Sequence, residues 1–553
     1  MNKYVTAAQP APLPDGQADG EPGRTRARVP IQSPAIGAVV RPLLGLAALT
    51  VVWALAALLV GDERRLPGPS AVVSQAWHDR GLYGLNLPPT LEAAGLGFLL
   101  GNGAAILLGL VLALIPAGRR ELMGVVVTLY NIPIIAIGPL VEVLLSGNWP
   151  KIIMAALSVF FVTLVATLAG LNNADRGSLD VVRAAGGSSW LAVRKVRMWA
   201  AAPAIVAGVA AGVPFAVVGA MVGEFFGGQS YGLGVMLVQA LDNLNSARVW
   251  GIALAVAVIG GVGLAATRAL GRLLLPWGGQ VSPLTFPVAP GSGSRDWLSR
   301  LIGTFGSAVA TAVVLLIIWI GSVKALGLQP FVVRMPWDIW RYLTTVPGAA
   351  ANRGQLVASL ASTLGLALAG CAVGLAAGVL AAFSFIFVRA VEPAVMPVVI
   401  ALSSVPYLAL VPILAVGLGR STLMNLALAA IIALLPTVII VHSGLLSAPV
   451  PLRDVIRAAG GRKWTLLRKV YVPTALPCLF TALRIAAPWS LLGVILGEWL
   501  ATGGGIGGAM VDEAVSGNYN AAWSDAVAVT IASVLLYAAV AGAERLALGR
   551  YSH

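Results

Sequence analysis

Long apolar runs separated by short polar stretches fill the chain. Runs of roughly 20 residues, each long enough to cross a hydrocarbon core as a helix, fall at 38–60, 90–115, 122–145, 152–171, 201–223 and 248–275. Six more follow at 302–323, 358–388, 391–416, 423–443, 475–500 and 525–548. The pattern predicts an all-α polytopic membrane protein with about twelve transmembrane helices. Residues 1–37 are rich in Pro, Gly, Ala and charge, the composition of a disordered tail. They are too long and too polar for the leading part of a signal peptide, so the first apolar run is expected to be an uncleaved helix. Residues 277–300 carry the Pro, Gly and Ser signature of a linker. The expected organisation is therefore a tail at 1–37, a first half at 38–276, a linker at 277–300 and a second half at 301–550.

The halves are copies of one another. DVVRAAGGSSWLAVRKV at 180–196 recurs as DVIRAAGGRKWTLLRKV at 454–470, identical at 11 of 17 positions with an offset of 274. The match extends outwards: Thr90 and Leu91 pair with Thr363 and Leu364, Pro133 and Pro139 with Pro406 and Pro412, Pro203 with Pro477, and Gly223 and Glu224 with Gly497 and Glu498. Both copies lie between the fourth and fifth helix of their half, so an even number of helices separates them and they face the same side. Two parallel six-helix halves can form a pseudo-two-fold bundle with a path along its axis.

Composition narrows the class. The chain is 58% hydrophobic and 10% charged, with mean hydropathy +0.89. A soluble domain averages roughly 45–50% and 25%, so a water-soluble fold is excluded. The net charge of +14 is no sign of nucleic-acid binding, because its placement follows the membrane. With alternating helices and a cytoplasmic N-terminus, 25 of the 36 Lys and Arg fall on the cytoplasmic side. That excess predicts cytoplasmic N- and C-termini. Cys371 and Cys478 are the only cysteines, and His78, His442 and His553 the only histidines, which points away from a disulfide framework and from a metal site.

The repeated loop is about 30 residues long, unusual for a bundle connection and a sign of function. It reads as two short helices broken by Gly186–Gly187 and Gly460–Gly461, with Trp190, Val193 and Val196 on one face and Trp464, Leu467 and Val470 on its counterpart. A basic amphipathic helix beside a membrane can simply lie on anionic lipid. Two copies with the same double glycine and the same Trp favour docking into a socket on a partner. Glu224 and Glu498 are equivalent carboxylates beside apolar helices, to be read either as solvated helix ends or as part of a gate or a binding-protein contact. Arg484 is expected to snorkel or to face the pathway. Pro133 and Pro406 free backbone carbonyls that could line a cavity, or are structural.

The stretches RAAGG, W, RKV and the Pro that follows resemble the cytoplasmic EAA loop of permeases from bacterial binding-protein-dependent ABC importers. Gly186 to Pro203 and Gly460 to Pro477 keep that family's spacing, and GEFFGGQSYGLG at 223–234 resembles its nitrate, taurine and aliphatic-sulfonate branch. The resemblance implies a type I importer-like fold with two permease halves fused in tandem. It implies that short coupling helices over 181–190 and 455–464 dock on two copies of an ATPase subunit. The docking residues would be Asp180, Arg183, Ala184, Ala185, Gly186 and Trp190 in one loop, and Asp454, Arg457, Ala458, Ala459, Gly460 and Trp464 in the other. Arg183 and Arg457 stand where the family has Glu, and Trp199 replaces the Pro found at 473. No Gly-Lys pair occurs anywhere, so the chain lacks a P-loop. ATP and Mg are thus expected in the partner ATPase, with no catalytic residue or cofactor here. An extracytoplasmic solute-binding protein is the other expected partner, in a bacterial inner membrane. The expected substrate is a small anion such as a sulfonate, nitrate or bicarbonate, or a thiamine-precursor pyrimidine. An ion-driven carrier would instead need coupled intramembrane Asp, Glu or His pairs, and the helices are nearly free of them.

Overall fold

The computed structural model describes residues 47, 50–64, 66–114, 138, 141, 145–226, 231–275, 297–325, 327, 331, 333–388, 391–403 and 407–548. The tail at 1–37, the apolar run at 122–145 except for isolated positions, most of the linker, Pro133, Pro139 and Pro406 lie outside the described residues. Among the described residues every regular element is a helix. The first half comprises α1 (Thr50–Val60), α2 (Pro69–His78), α3 (Arg80–Leu114), α4 (Trp149–Asn172) and α5 (Arg176–Ala184). It continues with α6, which runs from Ser189 through a π turn at Val193–Arg197 to Phe226, then α7 (Leu233–Asp242) and α8 (Ser246–Leu274).

The second half repeats this order. It has α9 (Trp297–Ala325), α10 (Pro336–Thr344), α11 (Ala349–Phe387), α12 (Val391–Ser403), α13 (Tyr407–Leu418), α14 (Thr422–Leu446) and α15 (Val450–Ala458). Then come α16, from Lys463 through a π turn at Leu467–Tyr471 to Gly497 and a second π turn at Glu498–Thr502, α17 (Gly505–Val515) and α18 (Tyr519–Leu548). Helix α9 begins at Trp297, a few residues inside the stretch read as linker. Eight of the helices are long and apolar enough to cross a membrane. They are α3, α4, α6 and α8 with their counterparts α11, α14, α16 and α18. In the apolar run at 391–416 the described residues form α12 and α13.

Small residues bring the repeated helices close. Gly97 and Gly101 of α3 lie against Ala155 and Ala156 of α4, and Gly370 and Gly374 of α11 against Ala429 and Ala430 of α14. A β-carbon at Gly101 would sit 2.4 Å from the Ala156 carbonyl oxygen, and one at Gly374 2.1 Å from that of Ala430. Backbone contact of this kind, rather than apolar burial, holds helices together in lipid. One buried core joins both halves. Met154, Met221 and Ile252 of the first pack in it with Val411, Leu428, Leu491 and Val529 of the second. Stacked indoles tie the first helix of each half to its last: Trp53 on Trp250 at 5.0 Å and Trp319 on Trp523 at 5.2 Å between ring centroids.

Candidate functional site

The two repeated loops have the same construction. Helix α5 ends at Ala184 with Ala185 as its cap, and Gly186 then takes φ +72°, a left-handed conformation that costs an L side chain about 1–2 kcal/mol. Gly186 N–H donates to the Arg183 carbonyl and Gly187 N–H to that of Val182, the pair of bonds that closes a Schellman turn. In the second loop Gly460 takes φ +75°, and Gly460 and Gly461 bond back to Arg457 and Ile456. The second glycine of each pair is required by space: a β-carbon at Gly187 would lie 2.6 Å from Val182 Cγ1, and one at Gly461 2.4 Å from Ile456 Cγ2. The double glycine therefore meets two separate needs, a backbone conformation and a close approach.

The loops carry exposed apolar side chains. Val181 and Trp190 are 69% and 55% exposed, and their counterparts Val455 and Trp464 are 65% and 66% exposed. Val193, Leu467 and Val470 are buried, with Val182 and Val196 packed around Leu179 and Ala192 beneath the first loop. This corrects the face expected from the sequence. Trp190 does not share the buried face of Val193, nor Trp464 that of Leu467: each Trp stands in a four-residue helical turn just after the double glycine, exposed, and the residue three positions on enters the core. Asp180 pairs with Arg183 at 3.0 Å and Asp454 with Arg457 at 3.9 Å, all solvated; such pairs contribute little stability. The loops differ at their start. Asp175 caps α5 by accepting from the backbone N–H and hydroxyl of Ser178, which hold its carboxyl below the usual range, whereas Pro449 occupies that place before α15.

Glu224 and Glu498 are not solvated helix ends; they are 1% and 2% exposed. Each carboxylate fastens the start of the next short helix. Glu224 accepts from the Thr90 hydroxyl at 2.5 Å and from Gly234 N–H at 2.8 Å, and Leu233 N–H donates to the same Thr90 oxygen at 2.9 Å. Glu498 accepts from Thr363 at 2.8 Å and Gly507 N–H at 3.0 Å, with Ile506 N–H on the Thr363 oxygen at 3.0 Å. The clasp ties α6 and α3 to α7 in one half, and α16 and α11 to α17 in the other. Gly232, at φ +149°, and Gly505, at φ +61°, let the chain pass the carboxylates. Asn86 adds a bond in the first half only, accepting from Gly232 N–H at 2.8 Å. Arg484 pairs with Glu544 and lies over the ring of Tyr537, both on α18.

Across the halves α8 packs on α13, and α6 touches α16 through ring pairs that are equivalent in the repeat. Phe215 contacts Trp489 edge to face at 6.0 Å, and Phe225 contacts Trp499 in the same way at 4.5 Å. Each pair is separated by the repeat offset of 274. Tyr407 of α13 adds an edge to Trp489 at 5.8 Å. Ten residues of helix place the two aromatic layers about 15 Å apart. Each layer belongs to a helix that is continuous, through its π turn, with a repeated loop.

Residues 105–277 and 374–548 each match the family of binding-protein-dependent transport system inner membrane components. The chain belongs to that family, with two permease units in tandem. The formylaminopyrimidine transport permease protein of Halalkalibacterium halodurans is 28% identical over 35% of this chain and 75% of its own length. The riboflavin transport system permease protein of Chloroflexus aurantiacus is 30% identical over 36% of this chain and 72% of its own length. For the nitrate import permease protein of Leptolyngbya laminosa the figures are 29%, 44% and 90%. Each relative thus corresponds to less than half of this chain. No solved structure matches it. Family and apolar helices together make this permease a multi-pass component of an ABC transport system in the inner membrane.

Proposed function

We propose that this permease forms the translocation path of an ATP-driven importer within one polypeptide and docks two ATPase subunits through the loops at 181–190 and 455–464. The observation that carries the reading is the pair of matched loops that present Val181, Trp190, Val455 and Trp464 to solvent, each rooted in a helix that reaches the contact between halves. A push on a loop is transmitted along α6 or α16 to the rings at 215 and 225 or 489 and 499. Apolar constrictions of this kind gate by excluding water. The basic loops support a cytoplasmic position for the docking face and both termini. ATP and Mg belong to the partner, and a solute-binding protein delivers solute on the opposite side. Relatives named for nitrate, aliphatic sulfonates and formylaminopyrimidine support a small anion or a thiamine-precursor pyrimidine as the solute.

Co-purification tests the reading. The full chain, solubilised in mild detergent from its own cells, should bring down a P-loop ATPase, and a Val181→Asp, Val455→Asp variant should not. Both positions are exposed, so the variant should insert and unfold like the wild type. Absence of an ATPase from well-folded wild type, or its retention by the double variant, would overturn the docking assignment.

A further inference from the structure

Lys151, in the first turn of α4, is only 3% exposed. Among the described residues no hydrogen bond and no ion pair holds its ammonium. Its charge is felt through space by Glu224, but that carboxylate already accepts from Thr90 and Gly234. The placement is unfavourable twice over. A buried ammonium without a bonded partner is costly, and the first turn of a helix is the positive end of its dipole, where carboxylates are favoured. Helix α4 has no acidic residue there, and Asn148 before it makes no cap bond through its side chain. The second half shows that the fold does not need this cation. At the offset of 274 that brings Gly223 onto Gly497, Lys151 corresponds to Asn425. The packing agrees: a β-carbon at Gly223 would collide with Lys151 Cα, and one at Gly497 with Asn425 Oδ1. Glu498 is bonded by Thr363 and Gly507 as Glu224 is by Thr90 and Gly234, with a neutral amide in place of the lysine. Asn425 is itself 3% exposed, donates through Nδ2 to the Thr502 hydroxyl at 3.2 Å, and keeps Oδ1 buried without a partner. The two glycines precede Phe225 and Trp499 by two residues, which places both polar side chains at the second aromatic layer, the one farther from the repeated loops.

We propose that Lys151 selects the solute: its ammonium receives a singly charged oxyanion, such as nitrate or an alkylsulfonate, as the solute passes the layer of Phe225 and Trp499. This role rests on the importer reading above and narrows its solute to an anion. An ionisable group kept at membrane depth against its cost marks a solute or ion pathway. Side chains on a helix lean toward its N-terminus, which carries the ammonium back toward the first-turn N–H groups of α4. A cation and a helix start together make a site for an anion. One ammonium neutralises one charge. A neutral solute would leave it unpaired, and a dianion would bring an uncompensated charge into the same buried place.

The test titrates the detergent-solubilised full chain with sodium nitrate and with sodium methanesulfonate, at constant ionic strength set by sodium sulfate, and reads thermal unfolding and calorimetric binding. At least one of the two monoanions should raise the unfolding temperature of the wild type saturably. Lys151→Met and Lys151→Asn, the latter copying the second half, should each weaken that response by about tenfold or more, the worth of one hydrogen bond to a charged group. In sulfate alone neither variant should unfold below the wild type, because each removes a buried charge that the protein leaves unbonded; a lysine kept for structure predicts the opposite. A wild type indifferent to both monoanions, an undiminished response in Lys151→Met, or a large fall in the unfolding temperature of both variants in sulfate would overturn the assignment. Co-purification keeps the two readings apart. Wild type and Lys151→Met should bring down the ATPase alike, and if they do so while the anion response is missing, the anion site is wrong and the docking loops stand.

Discussion

Thr363→Val keeps the shape of the side chain and removes one hydroxyl from a place with no solvent exposure. That oxygen accepts from Ile506 N–H and donates to the Glu498 carboxylate. An orphaned buried amide costs about 1–3 kcal/mol, and a lost hydrogen bond to a carboxylate about 1.5–3 kcal/mol. Gly507 N–H remains on Glu498, so a total of roughly 3–4 kcal/mol is expected. Thr90→Val should cost about as much, since it orphans Leu233 N–H and takes a bond from Glu224 in the same way, while Asn86 still holds Gly232 N–H at the start of α7. Hydrogen exchange over residues 505–510 and thermal unfolding are the readouts, with faster exchange there and unchanged exchange in α14. Thr363→Ser is the control that keeps the hydroxyl and should stay near wild type. If Thr363→Val and Thr363→Ser exchange and unfold alike, the clasp does not hold α17 and the reasoning fails.

Gly186→Ala with Gly460→Ala should strain both turns by about 1–2 kcal/mol each, seen as faster tryptic cleavage at Arg183 and Arg457 with unaltered membrane insertion. Arg248→Ala should destabilise the first half by about 3–5 kcal/mol by leaving Asp79 buried and unpaired, and adding Asp79→Asn should restore part of that in a thermal melt. Burial pushes the Asp79 carboxyl up, but the Arg248 bonds and charge and the Gln75 amide outweigh it and hold the group below the usual carboxylate range. Its contribution is then fully present above the unfolded value of about 3.9 and lost as pH falls through the lower folded value. The melt of wild type, compared with that of the Asp79→Asn chain, should accordingly lose its advantage only under strongly acid conditions.

The apolar runs and the repeat carried most of the architecture, because a lipid-spanning helix must declare itself in composition and a duplicated chain in identity. The alignment of Thr90 with Thr363 and of Glu224 with Glu498 was visible, yet nothing in it showed that threonine and glutamate touch, since they lie on different helices. Sequence spacing put Trp190 and Val193 on one face; residues three apart stand about 60° apart around a helix, enough to leave one in solvent and bury the other. Short helices α7 and α17 fall between the long apolar runs, their ends set by tertiary bonds to Glu224 and Glu498 rather than by capping residues of their own.

Where two identical subunits meet on a two-fold axis, a residue at the axis faces its own twin, so one choice of side chain must serve both partners. Fusion of the permease units lifts that constraint. Here Phe215 meets Trp489 and Phe225 meets Trp499, so a smaller ring sets its edge or face against a larger one, a pairing no homodimer can place on its axis. The contact between the halves can therefore be lopsided, and each side of it can be altered by mutation without altering the other.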